Sequence, residues 1–261
     1  MPAPCPHRTS LPKSKRAAVL VLVYEKGGVL RVLLTTRAKT LRTHPGQTAL
    51  PGGKMDEADQ DITDTAHREA FEEVALPRTH PAVHTLCVLR PFIAWTRLIV
   101  TPVVALLTDL SILESLKPSQ SEVDKIFDHP LEAFLEPSLS APEPLVALNS
   151  EQWPSDAEYY NFTDNTWDWL GTSYRMHRFR SCASTIKGLT AEILTLTGDG
   201  IAQIQAAAVA YDRKPSFTWY APGQLTTFSA IIGTLAPGMF AELRETAAPP
   251  STAEGVVLGR E

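Results

Sequence analysis

Residues 17–24, with the sequence AAVLVLVY, form an uninterrupted apolar run near the start of the chain. A run of this length that is rich in valine and leucine is typical of a strand buried on both faces. The glycine pair Gly27-Gly28 is a turn signal, and residues 29–35 form a second apolar segment. The two segments are therefore predicted to pair as a β-hairpin.

Later segments predict a helix and further strands. Residues 61–74 contain neither proline nor glycine and are predicted to form a helix that cannot continue through Pro77. A mixed sheet with a helix after its second strand is an α/β arrangement, which we predict as one main domain. The remaining predictions are an ordered loop over residues 37–53, strands over 83–89 and 98–107, a loop over 108–122, a short helical stretch around His129 and Pro130, a strand over 172–180 and a helix over 189–196 that ends near Gly198.

Composition divides the chain into three parts. Residues 1–16 are predicted to be a flexible tail, 17–211 the main domain, and 212–261 a C-terminal extension that is partly disordered. Within the main domain, residues 136–170 are predicted to be an insertion, because their first part is rich in proline, serine and glutamate. For the aromatic residues of this insertion we prefer core packing, with a cover over the site, a ligand pocket or a dimer contact as alternatives. These residues are Trp153, Tyr159, Tyr160, Trp167 and Trp169.

Charge and hydropathy disfavour two classes of partner. Lysine and arginine number 24 and aspartate and glutamate 29, which gives a net charge of −5. An acidic chain is a poor candidate for nucleic-acid binding, which depends on a basic surface. The longest apolar stretch, residues 98–107, is far shorter than the roughly 20 residues that a membrane span needs. We therefore expect neither nucleic acid nor a membrane as a partner. A small-molecule ligand is expected instead, and both a monomer and a homodimer stay open.

The cysteines and the termini favour an intracellular protein. The three cysteines are widely spaced and form neither a disulfide framework nor a zinc pattern, so free thiols in a reducing compartment are expected. Residues 1–16 carry basic residues without an acid, which we interpret as a solvated tail, with a weak organelle presequence as the alternative. The last residues, Gly259-Arg260-Glu261, are not a Ser-Lys-Leu peroxisomal address. Cytosol, peroxisome and mitochondrion remain open.

The predicted helix over residues 61–74 places three carboxylates on one face. Glu69, Glu72 and Glu73 stand at positions i, i+3 and i+4, one turn apart. Like charges so placed repel by roughly 0.2–0.5 kcal/mol per pair, and a hard divalent cation such as Mg²⁺ offsets this cost. Arg68 lies four residues before Glu72 and is predicted to pair with it while pointing away from Glu69. The spacing therefore predicts a metal site on this face, although a solvated acidic face is the usual meaning of such a cluster taken alone.

Two further features were expected to support this face. Phe71 and Val74 are predicted to anchor the helix to the core. Gly52-Gly53, which follows Pro51, is predicted to adopt a backbone conformation closed to other residues and to allow close approach of a ligand or metal.

The stretch from Gly53 to Leu76 resembles the Nudix signature: Gly, five residues, Glu, seven residues, Arg-Glu, an apolar residue, any residue, Glu-Glu, any residue, Gly, and an apolar residue. Arg68-Glu69, Glu72-Glu73 and Leu76 follow in register. The departures are Asp59 for the first Glu, eight residues instead of seven before Arg68, a small Ala70, and Ala75 for the Gly that caps the helix. Alanine in that left-handed position should cost roughly 1 kcal/mol.

The longer box is similar to that of the coenzyme A diphosphatase branch, which carries a second motif upstream. Leu33-Leu34-Thr35-Thr36-Arg37-Ala38 leads to Arg42, Gly46 and Leu50-Pro51-Gly52-Gly53, and every fixed position of that motif is met. The resemblance implies a Nudix fold, a mixed β-sheet sandwiched between α-helices. It also implies a Mg²⁺- or Mn²⁺-dependent diphosphatase that cleaves coenzyme A, and possibly acyl-coenzyme A, to adenosine 3′,5′-bisphosphate and 4′-phosphopantetheine.

The resemblance assigns roles to individual residues. It implies that Glu69, Glu72 and Glu73 hold the metal, that Arg68 supports them, and that Glu69 or Glu122 acts as general base. A helix-start acid is the structural alternative for Glu122. Substrate contacts are predicted for Arg37, Arg42, Gly52 and Gly53, where a structural ion pair with the acidic helix is the alternative for either arginine. Two alternative functions stay open: hydrolysis of another nucleoside diphosphate derivative such as NADH or ADP-ribose, and a catalytically weak binding module.

Overall fold

The computed structural model describes residues 12–167 and 172–209 of the 261-residue chain. The predicted C-terminal extension over residues 212–261 lies outside this range, as does most of the predicted N-terminal tail. The strands are β1 (Arg16–Lys26), β2 (Val29–Arg37), β3 (Thr48–Ala49), β4 (Gly52–Lys54), β5 (Val83–Val88), β6 (Phe92–Ile93), β7 (Ile99–Leu107), β8 (Val123–Pro130), β9 (Tyr160–Trp167), β10 (Thr172–Phe179) and β11 (Ile186–Lys187). The helices are α1 (Ile62–Val74), α2 (Ser111–Ser115) and α3 (Gly188–Val209), and three short 3₁₀ turns cover Lys13–Lys15, Leu131–Phe134 and Pro137–Ser140.

The main sheet is mixed, as the sequence predicts. Its central order is β3-β2-β1-β7-β5, with β4 also paired to β1, β6 to β7 and β8 to β2. Strands β1 and β7 run parallel, whereas the other pairs of this sheet are antiparallel. A smaller antiparallel sheet contains β11, β10 and β9 in that order. The α/β fold class is therefore confirmed.

The predicted hairpin at the start of the chain is also confirmed. Lys26 pairs with Val29, so the loop between β1 and β2 consists of Gly27 and Gly28 alone. Their φ angles are 65° and 78°. Two successive residues with positive φ are the requirement of a type I′ turn, and glycine meets it without steric cost.

Strand β1 is buried on both faces, and its alternating side chains enter two different cores. Leu20 and Leu22 pack in the core that contains Ala66, Ala70 and Val74 of α1. The alternate residues Val21 and Val23 pack in the core that contains Phe134, Ile193 and Leu194. One strand thus joins a layer built on α1 to a layer that includes α3, which explains why residues 17–24 of this strand are all apolar.

Helix α1 packs on the sheet through small residues, which corrects one prediction. Ala66, Ala70 and Val74 are fully buried, at successive intervals of four residues. Phe71, which we predicted to be an anchor, is 51% exposed because it lies one position beyond this stripe. The alanines bring the helix close to β1, which is needed for its carboxylates to reach the Gly52-Gly53 strand.

Four segment predictions were wrong in part. The predicted ordered loop over residues 37–53 includes the short strand β3 and the start of β4. The stretch around His129 and Pro130 is the end of strand β8, and a 3₁₀ turn begins only at Leu131. The predicted loop over residues 108–122 includes the short helix α2, Ser111–Ser115. Helix α3 continues past Gly198 to Val209. A Cβ atom on Gly198 would lie 3.3 Å from the Leu131 carbonyl oxygen, so this glycine serves close packing and does not end the helix.

Two aromatic residues of the predicted insertion and two of the three thiols agree with expectation. Trp153 and Tyr159 are 1% and 5% exposed, so core packing is confirmed for these two aromatic residues, whereas Trp169 lies outside the described residues. Cys87 and Cys182 are free thiols. Within the described part of the chain, the helices are too short or too polar to cross a membrane.

The left-handed residue at the end of α1 gives a stability prediction. Ala75 has a φ of 59° and donates its N–H to the carbonyls of Phe71 and Ala70. Because the left-handed conformation strains residues that carry a Cβ, Ala75→Gly should raise the free energy of unfolding by about 1 kcal/mol. Urea denaturation measures this change. Ala58→Gly, in an exposed turn without positive φ, is the control and should give no gain. An equal response of both variants would contradict the explanation.

Candidate active site

Helix α1 begins directly after its N-cap residue, Asp61. The Asp61 side chain accepts hydrogen bonds from the N–H groups of Thr63 and Asp64, each at 2.8 Å. This is the usual N-cap arrangement, and it satisfies two of the four N–H groups that a helix start leaves without partners. The cap fixes the start of the helix and thereby the positions of its glutamates along the helix axis, next to β4.

Arg68 is fixed by the loop that precedes the helix. Its Nε and Nη2 atoms donate to the two carboxylate oxygens of Asp59 at 2.8 and 3.0 Å, and Nη2 also donates to the Lys54 carbonyl at 3.0 Å. Asp59 is buried and accepts further hydrogen bonds from Thr65 Oγ1 and the Asp56 N–H. The hydrogen bonds from Arg68 hold the pKa of Asp59 well below its usual range. A bidentate ion pair between Arg68 and Asp59 thus joins the two ends of the eight-residue segment that separates them.

Removal of the buried charge in this pair should destabilise the protein. Asp59→Asn leaves the Arg68 guanidinium without its carboxylate, and breaking such a pair costs about 3 kcal/mol of unfolding free energy. Because the pKa of Asp59 is depressed in the fold, this contribution is complete above the ordinary aspartate pKa and is lost progressively as the pH falls from there toward the lower pKa of the folded state. Urea denaturation should therefore show a smaller difference between wild type and variant at pH 3 than at pH 7.

The control for this prediction is a similar pair on the surface. Arg175 Nε lies 2.7 Å from Asp164 Oδ1, but both side chains are exposed by 40% or more. Exposed pairs contribute about 0–1 kcal/mol, so Asp164→Asn should have little effect. A large loss in this control, or none in Asp59→Asn, would show that the buried pair does not have the stabilising role assigned to it.

Arg68 also bridges two of the predicted metal ligands. Its Nη1 atom lies 3.0 Å from Glu69 Oε1 and 3.0 Å from Glu72 Oε2. The predicted pairing with Glu72 is confirmed. The expectation that Arg68 points away from Glu69 is wrong, because the long side chain turns back along the helix toward Asp59 and passes both carboxylates.

Glu73 faces the protein interior. Its side chain is 5% exposed; the Gly52 N–H donates to Oε2 at 3.3 Å, and Arg37 Nη1 lies 4.0 Å from Oε1. Burial raises the pKa of this carboxyl from 4.5 to about 8, although the Gly52 hydrogen bond and the Arg37 charge act in the opposite direction. A carboxylate that is held in this way, with only partial neutralisation, is typical of functional sites.

Gly52 and Gly53 are needed because they lack side chains, and not because of their backbone angles. Neither Gly52 nor Gly53 has a positive φ, so the predicted special conformation is wrong. The predicted close approach to the glycines is present, but the approaching atoms belong to the protein itself and not to a ligand or metal. A Cβ on Gly53 would lie 2.5 Å from the Glu69 carboxylate, and one on Gly52 would lie 2.4 Å from the Ala18 carbonyl oxygen. The absent side chains allow β4 to lie against both β1 and the acidic helix.

The two arginines of the upstream motif have different surroundings. Arg37 ends strand β2 and lies beside Glu73, which agrees with the structural alternative, yet its buried Nε has no hydrogen-bond partner in the structure. Arg42 lies in the following loop with an exposed side chain, and it makes no ion pair or hydrogen bond with the described residues. The structure therefore brings Arg37, but not Arg42, into contact with the acidic cluster.

Glu122 lies beside the cluster, although it is distant in sequence. It occupies the turn before β8, its carbonyl accepts a hydrogen bond from the Ala38 N–H at 2.8 Å, and its side chain is exposed. Its negative charge contributes to the raised pKa of both Glu69 and Glu73, for which burial is the larger cause. The helix-start alternative for Glu122 is wrong, because the residue precedes a strand.

The carboxylates do not form a closed metal site in this arrangement. Across residues 12–167 and 172–209, no group of three or more histidine, cysteine, aspartate or glutamate side chains is positioned to hold a metal ion. Glu69 and Glu72 share Arg68, whereas Glu73 is turned toward Gly52 and Arg37. The donor set nevertheless suits a hard divalent cation, because it consists of carboxylate oxygens and includes two glutamates whose burial disfavours an uncompensated charge.

Sequence reasoning missed the clamp that Asp59 and the Lys54 carbonyl form on Arg68, and the hydrogen bond from Thr65 that supports Asp59. Asp59 was considered only as a substitute for a glutamate. Nine positions separate it from Arg68, and they span a loop and a helix start, so no periodic pattern indicates the pairing. The only signal is its charge, at a position where the chain is otherwise turn-like.

Fold and site together define an α/β protein in which an acidic helix lies against a glycine-rich strand. The NUDIX domain family matches residues 14–144, which is half of the 261-residue chain. The chain therefore belongs to the NUDIX family.

Named relatives extend this comparison. The chain is 36% identical over 215 residues to "Nudix hydrolase 15, mitochondrial" of Arabidopsis thaliana, a match that covers 80% of this chain and 64% of that protein. It is 39% identical over 127 residues to "Peroxisomal coenzyme A diphosphatase NUDT7" of Mus musculus, covering 48% of this chain and 51% of that protein. It is 40% identical over 121 residues to "Mitochondrial coenzyme A diphosphatase NUDT8" of Homo sapiens, covering 46% and 50%. The chain thus spans between half and two thirds of the length of these relatives.

Proposed function

We propose that the protein is a metal-dependent hydrolase that cleaves the diphosphate of coenzyme A to adenosine 3′,5′-bisphosphate and 4′-phosphopantetheine. The observation that carries this proposal is the gathering of Glu69, Glu73 and Glu122, in which Glu73 lies beside Arg37 and burial raises the pKa values of Glu69 and Glu73. The complete upstream motif and the two relatives named as coenzyme A diphosphatases support coenzyme A as the substrate. The relatives' names also refer to mitochondria and peroxisomes, which supports an intracellular site of action.

Glu69, Glu72 and Glu73 are the residues that would hold Mg²⁺ or Mn²⁺. When bound, such a cation neutralises phosphate oxygens and lowers the pKa of a nearby water molecule. The three glutamates would balance its charge, and Glu73 is held by the Gly52 N–H. Arg68 is bound to Asp59 and so holds the helix face on which Glu69 and Glu72 would serve as ligands.

The arginines and glycines would act on the substrate. Arg37 has a buried Nε without a partner and a guanidinium beside the acidic cluster, which suits donation to a phosphate oxygen. Arg42 is exposed in a loop and is free to contact a more distant phosphate. Gly52 and Gly53 would offer only backbone to a diphosphate beside the carboxylates, because their side-chain positions are taken up by strand β1 and by Glu69.

Glu69 and Glu122 are the two candidates for the general base. Burial raises the pKa of Glu69, which makes this carboxylate a better proton acceptor, but Arg68 already binds it. Glu122 is exposed and lies near Glu69 and Glu73, and it forms no ion pair with a described residue. Loss of the acidic limb of the pH–rate profile in Glu122→Gln, with unchanged metal affinity, would identify Glu122 as the base. An unchanged profile would assign the role to Glu69.

Product analysis tests the proposed function. Purified full-length protein is incubated with coenzyme A and Mg²⁺ or Mn²⁺, and the products are identified by mass spectrometry. We expect adenosine 3′,5′-bisphosphate and 4′-phosphopantetheine, with no reaction after chelation of the metal. NADH and ADP-ribose are tested in parallel, because preferred turnover of either would replace coenzyme A as the substrate. Binding of these compounds without turnover would indicate a binding module instead.

A further inference from the structure

A polar cavity lies away from the acidic helix. Its volume is about 560 Å³, which is within the usual range of small-molecule sites, and Thr36 is among its lining residues. Thr36 and Arg37 are successive residues of β2, so their side chains point to opposite faces of the sheet. Because Arg37 faces Glu73 of α1, the cavity lies on the other face, one residue away from the candidate active site.

Three lysines line this cavity, namely Lys39, Lys125 and Lys187. None of them forms an ion pair with a residue that the structure describes; the one recorded contact is a hydrogen bond of 3.4 Å from Lys125 Nζ to the Cys182 carbonyl. The lysines outnumber the two lining carboxylates, Asp124 and Glu151. A positive excess within a chain of net charge −5 is a local feature that favours an anionic ligand.

A buried hydroxyl in the same wall also lacks a partner. Thr36 is 7% exposed, and its Oγ1 atom makes no hydrogen bond in the structure. A buried polar atom without a partner is costly, and a ligand that supplies one removes this cost. The hydroxyl and the ammonium groups can donate to phosphate oxygens, whereas Asp124 and Glu151 can accept hydrogen bonds from sugar hydroxyls.

We propose that this lysine-lined cavity binds a phosphate monoester carried on a sugar. The ligand has two possible sources. One is the phosphorylated ribose of the enzyme's own substrate, an assignment that rests on the proposed function. The other is a separate sugar phosphate that binds independently of turnover. Both sources use the same recognition chemistry, and the experiment distinguishes between them.

Calorimetric titration with adenosine 3′,5′-bisphosphate tests binding directly, since this compound has no diphosphate to be cleaved. The double variant Lys125→Gln/Lys187→Gln should bind it at least about tenfold more weakly than wild type, because two charged donors are lost. Lys15→Gln/Lys26→Gln removes two exposed lysines elsewhere and should change the affinity by less than about twofold. Circular dichroism verifies that both double variants are folded. Equal affinities for the three proteins, or no binding to wild type, would overturn the proposal.

The source of the ligand follows from kinetics. In wild type and Lys125→Gln/Lys187→Gln, kcat/KM is compared for coenzyme A and for its analogue without the 3′-phosphate. If kcat/KM of the variant falls for coenzyme A and stays unchanged for the analogue, so that the preference disappears, the cavity binds the ribose phosphate of the substrate. An unchanged preference together with weakened bisphosphate binding assigns it to a separate sugar phosphate. If neither compound is hydrolysed, the proposed function fails, but the calorimetric result on the cavity remains valid.

Discussion

Glu73→Gln should lower kcat for coenzyme A by about 10³-fold and at the same time make the metal-free protein more stable at pH 8. The loss of rate is of the size that follows removal of a charged group from a preorganised site. The gain in stability follows from burial, which raises the pKa of Glu73 from 4.5 to about 8 and so makes its ionised form costly in the fold. Glutamine keeps an oxygen for the Gly52 N–H but cannot ionise.

The direction of the pH dependence follows from the raised pKa. The folded protein binds this proton more tightly than the unfolded chain does, so the contribution to stability is complete below pH 4.5 and is lost as the pH rises to about 8. The lost free energy is at most about 5 kcal/mol. Thermal unfolding of the metal-free wild type should therefore occur at a lower temperature at pH 8 than at pH 5, and Glu73→Gln should reduce this difference.

Metal and a matched variant complete this experiment. Mg²⁺ or Mn²⁺ should raise the unfolding temperature of wild type at pH 8 more than that of Glu73→Gln, because the cation compensates a charge that only wild type carries. Glu114→Gln, in the exposed part of α2, is the control and should retain both the activity and the pH dependence of wild type. Undiminished turnover in Glu73→Gln with the fold intact would overturn the assignment of this glutamate to the metal and, with it, the proposed mechanism.

Much of the fold could be predicted from local patterns. Strand β1 was recognised because both of its faces are apolar, and the hairpin because Gly27-Gly28 allows only a few turn types. Helix α1 was recognised by its lack of proline and glycine. Predictions failed where a tertiary contact decides the outcome, as at Gly198, which packs against the Leu131 carbonyl inside a continuing helix.

The candidate site was predicted in its residues but not in its geometry. Helical spacing places Glu69, Glu72 and Glu73 within one turn, yet it does not show that Glu73 points inward while Arg68 bridges the other two. The direction of Arg68 depends on Asp59, which a loop brings back to the helix. Contacts of this kind depend on the path of the loop, which has no periodicity to read from the sequence.

Gly53→Ala and Gly52→Ala should separate activity from stability at adjacent positions. In Gly53→Ala the new Cβ would lie 2.5 Å from the Glu69 carboxylate, which is the end of a flexible side chain and can rotate away. The fold should persist, but displacement of a predicted metal ligand by about 1 Å should lower kcat/KM by about 10²-fold. In Gly52→Ala the Cβ would lie 2.4 Å from the Ala18 carbonyl oxygen and 2.7 Å from the Val19 Cα, which are backbone atoms of β1 and cannot yield.

Gly52→Ala should therefore lower the free energy of unfolding by about 3 kcal/mol, at the upper end of overpacking costs, because strands β1 and β4 must separate. Urea denaturation and steady-state kinetics on both variants give the comparison, and each variant serves as the control for the other. If Gly53→Ala retained full activity, the close contact between the glycine strand and Glu69 would have no part in catalysis. If Gly53→Ala instead unfolded as readily as Gly52→Ala, the Glu69 side chain would be held too rigidly to move. The loss of activity in Gly53→Ala would then reflect unfolding alone.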